Sequence, residues 1–175
     1  RETVKVIAVV REALNLLLAT LPTTIEIRTA LHPEAGTVYA DPTEIHQLIM
    51  NLCTNAYQAM EEKGGLLLIT LEPVIMNGNE NAANIQPPIS EGAYVKLVVS
   101  DTGCGMDEDV IRHIFDPFFT TKERGKGTGL GLATVSRIVA DLKGGVAVKS
   151  NPGEGAEFTL YLPRYDFKAK NPKKR

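Results

Sequence analysis

The sequence predicts an α/β fold, a two-layer sandwich in which a mixed β-sheet carries about three long helices on one face. Two observations predict it. Three long segments, 4–21, 41–62 and 130–142, have the make-up and apolar spacing of amphipathic helices. Five or more shorter segments read as strands, several alternating apolar and polar residues. Clusters of Gly, Pro and Asn separate the two kinds.

The elements follow in order. Ile7, Val10, Leu14, Leu17 and Leu18 make the helical stripe of 4–21, which ends before Pro22. Alternation in 25–28 and 37–40 predicts two short strands around a turn at 32–36. Asp41, Pro42 and Glu44 then supply an N-cap, a first-turn proline and a capping-box-like acid, so a helix begins at 41 and runs to about 62, stopped by Gly64-Gly65. Segment 66–75 is a strongly apolar strand, 76–92 a long hairpin loop, and 93–100 the returning strand. A short helix is expected over 107–113, and 116–128, polar and aperiodic, is expected to be a mobile loop. The helix over 130–142 stops at Gly144-Gly145, and strands 146–150 and 157–162 close the fold across the turn 151–154.

Composition narrows the class. Apolar residues are 43% and charged residues 23%, as expected of a globular domain, and 175 residues suffice to bury roughly 70% of the unfolded surface without a metal or disulfide staple. Trp is absent, so the core must rest on Leu, Ile and Val. No apolar run approaches the roughly 20 residues of a membrane span. Two cysteines make no disulfide framework and suggest a reducing, cytoplasmic setting, whether or not the full-length protein is membrane-anchored. The chain starts at Arg1 and reads as a fragment of something longer. Residues 1–163 are expected to form the domain and 164–175 a basic tail or linker. The tail carries a balance of +5, which leaves −7 on the rest of a chain whose net charge is −2. A body of that sign is not built for nucleic acid.

Three clusters carry chemistry. Asn51 and Asn55 are one helical turn apart, among the apolar Leu48, Ile49, Leu52 and Ala56. An Asn carbonyl is a hard oxygen ligand suited to Mg²⁺, which takes few protein ligands. The run Asp101-Thr102-Gly103-Cys104-Gly105-Met106 follows a buried-looking strand. Its carboxylate can accept from the exocyclic amine of adenine, and glycine lets the ring approach. The stretch from Gly125 to Gly131 runs into a helix, and its amides suit phosphate oxygens. It is not a GxxxxGK[ST] phosphate loop, and no strand feeds the glycines as a dinucleotide fingerprint requires.

The order and wording of these clusters resemble the catalytic ATP-binding domain of sensor histidine kinases. NLCTNAYQAM resembles the N box, DTGCGM the G1 box, IFDPFFTTK the F box and GTGLGL the G2 box, while GEGAEFTLYLP resembles the family's last hairpin. PFFTTK with KGTGLGL is most similar to the nitrogen-regulation type. The resemblance implies a Bergerat-type sandwich shared with gyrase and MutL ATPases, and ATP and Mg²⁺ as ligands. It implies that Asn55 holds Mg²⁺ with Asn51 as its phosphate-side companion, and that Asp101 reads adenine with Gly103 and Gly105 beside the base. Gly127, Gly129 and Gly131, with the Leu130 and Leu132 amides, would cradle phosphate. Phe115, Phe118 and Phe119 would anchor an ATP lid over 107–128, in which Lys122, Arg124 and Lys126 could reach phosphates; Lys122 joins Asn51 and Asn55 as a catalytic candidate. Gln58 stands where many members have Lys, so the lid cations and Mg²⁺ must meet the phosphate charge.

Gyrase- and MutL-like ATPases carry a Glu four residues before the second Asn, to polarise water. Asn51 stands there and cannot act as a general base, which favours transfer to histidine over hydrolysis. His32, His46 and His113 are poorly placed as phosphoacceptors. The acceptor is therefore expected upstream, on a dimerisation hairpin, with a response-regulator receiver domain as the next partner and the isolated chain monomeric. A Bergerat-type ATPase and a non-catalytic nucleotide-binding module remain the alternative readings.

Overall fold

The computed structural model describes residues 1–78, 84–120 and 130–165. Its elements are β1 (Glu2–Lys5), α1 (Val6–Thr20), β2 (Ile25–Leu31), β3 (Thr37–Ala40), α2 (Pro42–Ala59), β4 (Gly65–Met76), β5 (Gly92–Asp101), α3 (Glu108–His113), α4 (Gly131–Asp141), β6 (Gly145–Ser150) and β7 (Ala156–Pro163). The five-stranded sheet has the order β2-β4-β5-β7-β6, with β2 parallel to β4 and every other pair antiparallel. The mixed sheet and its helical layer agree with the expected sandwich.

Strand periodicity places the core. Leu67, Ile69 and Leu71 of β4, Val95, Leu97 and Val99 of β5, and Phe158, Leu160 and Leu162 of β7 alternate onto one face and are buried. Against them lie Val10 and Leu17 of α1, Leu48 and Leu52 of α2, and Val135 and Ile138 of α4, all buried.

The structure departs from the expected elements at three places. Val4 and Lys5 are not helical but belong to β1, which pairs with β3 as a separate two-stranded sheet and sets Val4 opposite Val38. Val4 and Val6 are both buried, so this edge of the apolar stripe serves two elements. Strand β2 runs three residues past 28, because parallel pairing with β4 continues to Leu31 opposite Leu71. Helix α2 ends at Ala59 rather than 62, where the Met60 amide turns back to the Tyr57 carbonyl. Its start is as read from the sequence: Asp41 Oδ1 accepts from the Thr43 amide at 2.9 Å, with Pro42 at the first position. The Glu44 carboxylate lies 3.9 Å from Arg137 of α4.

Part of the long hairpin loop is built into the fold. Gln86 exchanges two 2.9 Å backbone hydrogen bonds with Val146 and so pairs with the edge strand β6. Ile85, Met76 and Tyr94 form a small buried cluster, and the Tyr94 hydroxyl donates to the Ser90 carbonyl at 2.7 Å. Ile85→Ala should therefore cost about 2 kcal/mol, the low end for a truncated buried aliphatic, read as a lower urea midpoint. An unchanged midpoint would mean the loop is only loosely attached. At the other end, the Arg164 amide donates to the Ala93 carbonyl at 3.0 Å and Tyr165 stacks on Tyr39 with centroids 5.2 Å apart. Residues 166–175 of the expected tail lie outside the described residues. No helix among the described residues is long and apolar enough to cross a membrane.

Candidate functional site

Helix α2 has two faces. Leu48, Leu52 and Ala56 are buried, while Asn51, Thr54, Asn55 and Gln58, at spacings of three and four, line a cavity of about 260 Å³. Asn51 Nδ2 donates to the Gly131 carbonyl at 3.2 Å and ties α2 to the first turn of α4. The Asn55 side chain has no hydrogen-bond partner among the described residues, which leaves its amide oxygen available to the cavity.

The opposite wall begins where β5 ends. Asp101, 5% exposed, lines the cavity and its Oδ1 accepts from the Gly103 amide at 2.8 Å. Thr102 turns the other way, and its hydroxyl accepts from the Leu66 amide at 3.0 Å. Gly103 does not line the cavity. It packs on the end of α2, where a Cβ would come within 2.5 Å of the Ala59 carbonyl oxygen. The Cys104 amide bonds that same oxygen at 3.2 Å. Cys104, Gly105 and Met106 return to the cavity wall.

Asp107 caps helix α3, its Oδ1 accepting from the Val110 amide at 2.9 Å, and the helix contributes Val110; Ile114, just past its end, is also on the wall. Phe115 meets Phe158 edge-on at 6.4 Å, and Phe119 lies 5.7 Å from the His113 ring and lines the cavity. Phe118 is different from its two neighbours: it is 73% exposed with φ at 69°. At the far side, Gly131 and Leu132 in the first turn of α4 line the cavity, and Leu130 is exposed just outside it. Lys122, Arg124, Lys126, Gly127 and Gly129 lie outside the described residues.

The cavity thus joins Asn51 and Asn55, Asp101 and Gly105, and Gly131 and Leu132, from three separate stretches of sequence. Sequence reasoning gave no individual role to Thr54, Ala59, Val110, Ile114 or Ala156. Thr54 follows from helical spacing to Asn51, but nothing marks Ala156. It reaches the wall because β7 pairs it with Asp101.

Chemically the cavity is half apolar and half polar. Met106, Val110, Ile114 and Leu132 offer a surface for a flat ring, and the Asn amides and the α4 N-terminus offer donors and acceptors for an anion. Among the described residues, no three His, Cys, Asp or Glu side chains group as a metal site. One amide oxygen still fits Mg²⁺, which keeps most of its waters. The two thiols differ: Cys53 is fully buried and burial pushes its pKa up to about 12, whereas Cys104 is exposed on the cavity wall. A chromogenic disulfide reagent should therefore titrate one thiol in the folded protein and the second only on unfolding. Two rapid thiols would contradict this packing of α2.

A cavity between α2, the end of β5 and α4 beside a mixed sheet accompanies the class: residues 40–166 match the histidine kinase-, DNA gyrase B- and HSP90-like ATPase family, and the chain belongs to it. The chain is 42% identical to sensor kinase CckA of Brucella abortus over 127 residues, 73% of this chain and 13% of that protein. It is 36% identical to sensor histidine kinase ZraS of Escherichia coli K12 over 139 residues, 79% of this chain and 26% of that one. The chain therefore spans about a quarter or less of these relatives. Among solved structures, the nucleotide-free catalytic domain of histidine kinase ThkA superposes with a TM-score of 0.71 at 27% identity, covering 93% of this chain and 94% of that one. ThkA in complex with response regulator protein TrrA matches with a TM-score of 0.68 at 26% identity, covering 95% of this chain and 42% of that one.

Proposed function

We propose that this chain is the ATP-binding catalytic domain of a two-component sensor histidine kinase, and that it positions the γ-phosphate of Mg-ATP for transfer to a histidine on an upstream dimerisation hairpin. The observation that carries this reading is the convergence of Asn51, Asn55, Asp101 and the α4 N-terminus on one cavity. Kinship with sensor kinases supports it.

In this reading Asp101 accepts from the exocyclic amine of adenine, and the apolar wall holds the ring. Asn55 donates its amide oxygen to Mg²⁺, which when bound neutralises phosphate charge and orients the phosphates. The amides of Gly131 and Leu132 face the phosphate end, and Gly127, Gly129, Leu130 and Lys122 would complete that end. Asn51, already donating to the Gly131 carbonyl, sets the distance between α2 and α4. An amide so engaged takes no proton from water, so the site favours an acceptor that brings its own lone pair, such as neutral imidazole. The domain acts by positioning and electrostatics.

The next partner would be a receiver domain, met in the cytoplasm; the complex of ThkA with response regulator protein TrrA supports the partner class. The isolated chain would be a monomer. His113 of this chain is already paired with Asp116 at 3.0 Å and does not line the cavity. With γ-labelled ATP, the chain alone should acquire no acid-labile phosphate, and label should appear on a histidine of the upstream hairpin once that is supplied. Acid-labile label on His46 or His113 would overturn the assignment of the acceptor.

A further inference from the structure

The cavity wall formed by residues 104–106 is held from behind by the turn of the last hairpin. The Ser150 hydroxyl, at the end of β6, accepts from the Met106 amide at 2.9 Å and donates to the Gly155 carbonyl at 2.7 Å. The Gly153 amide donates to the Cys104 carbonyl at 2.7 Å. A Cβ on Gly105 would come within 2.0 Å of the Asn151 carbonyl oxygen, so wall and turn are in backbone contact. Asp101 pairs with Ala156 on the adjoining ladder, and both line the cavity. Ser150 itself does not.

We propose that Ser150 is a positioning residue of the nucleotide site: its hydroxyl fixes the Met106 amide to the hairpin turn and so sets the wall against which the base lies. This rests on the ATP-site reading above. The physical reason is that the hydroxyl accepts from the wall at Met106 while donating to the turn at Gly155, and so couples the two. Remove it, and the part-buried Met106 amide and Gly155 carbonyl each lose a partner. Glycine stands inside the wall segment at 105 and just before it at 103, so the segment has little stiffness of its own.

The test compares Ser150→Ala and Ser150→Thr with wild type in calorimetric titration with Mg-ADP, well below the melting temperature, alongside hydrogen exchange at the Met106 amide. Ser150→Ala should bind about three- to tenfold more weakly and exchange the Met106 amide faster, while β6–β7 ladder amides stay protected. Ser150→Thr keeps the hydroxyl and should restore both readouts. If Ser150→Ala fails to fold, Ser150→Cys, a weaker hydrogen-bonding isostere, should show the same weakening. Equal affinity in wild type and the folded variant overturns this inference alone. A wild-type chain that binds no adenine nucleotide overturns the ATP-site reading, and this inference with it.

Discussion

Asp101→Asn should weaken ATP binding by about 10- to 150-fold, corresponding to the roughly 1.5–3 kcal/mol of a hydrogen bond to a charged group. The substitution is nearly isosteric, and the retained oxygen can still accept from the Gly103 amide, as Asp101 Oδ1 does at 2.8 Å. The fold should therefore survive. What changes is the second position of the side chain, which becomes an NH₂ donor where the proposed adenine site calls for an acceptor, since the exocyclic amine is itself a donor. Selectivity should fall with affinity, because a guanine carbonyl at the same place would meet a donor rather than a carboxylate. Parallel titrations with ATP and GTP read both quantities. Unchanged ATP affinity in a folded variant would mean that the base lies elsewhere.

A second large effect is expected at the hairpin turn, where two glycines share nearly the same positive φ and differ in surroundings. Gly153 has φ of 79° and nothing within 4 Å of a would-be Cβ. Gly155 has φ of 78°, but its Cβ would come within 2.0 Å of the Asp101 carbonyl oxygen. Gly153→Ala should cost only the left-handed backbone strain, about 1–2 kcal/mol. Gly155→Ala adds a backbone overlap with Asp101 that can be relieved only by moving the turn and the end of β5 apart. Its cost should exceed about 3 kcal/mol and remove nucleotide binding in whatever fraction stays folded. Urea melts of the two variants isolate the steric part by difference. Equal losses would show that the turn and the end of β5 are not in contact.

Much of this arrangement is legible in the sequence, for local reasons. Asp41-Pro42 marks the start of α2 because capping is decided by adjacent atoms, and the structure shows that bond. The alternation of 93–100 identifies β5 because one of its faces is buried throughout. What sequence leaves out depends on contacts across the sheet. Val4 continues an apolar pattern that helix and strand share, and pairing with β3 places it and Lys5 in a strand. Ala156 enters the cavity solely through its partner Asp101. Gly103 and Gly105 look alike in DTGCGM, yet one packs on α2 and the other faces the cavity. Motif wording does not carry that distinction, because it arises from the docking of residue 104 on the Ala59 carbonyl.

Whether ATP occupies the cavity between α2, the end of β5 and α4 can be read from amide chemical shifts during titration of Mg-ADP into isotopically labelled protein. Saturable shifts are expected at Asn55, Asp101, Gly105, Met106, Gly131 and Leu132, residues that line the cavity from its separate elements. Saturable shifts centred on another face, with these amides unmoved, would contradict that occupancy.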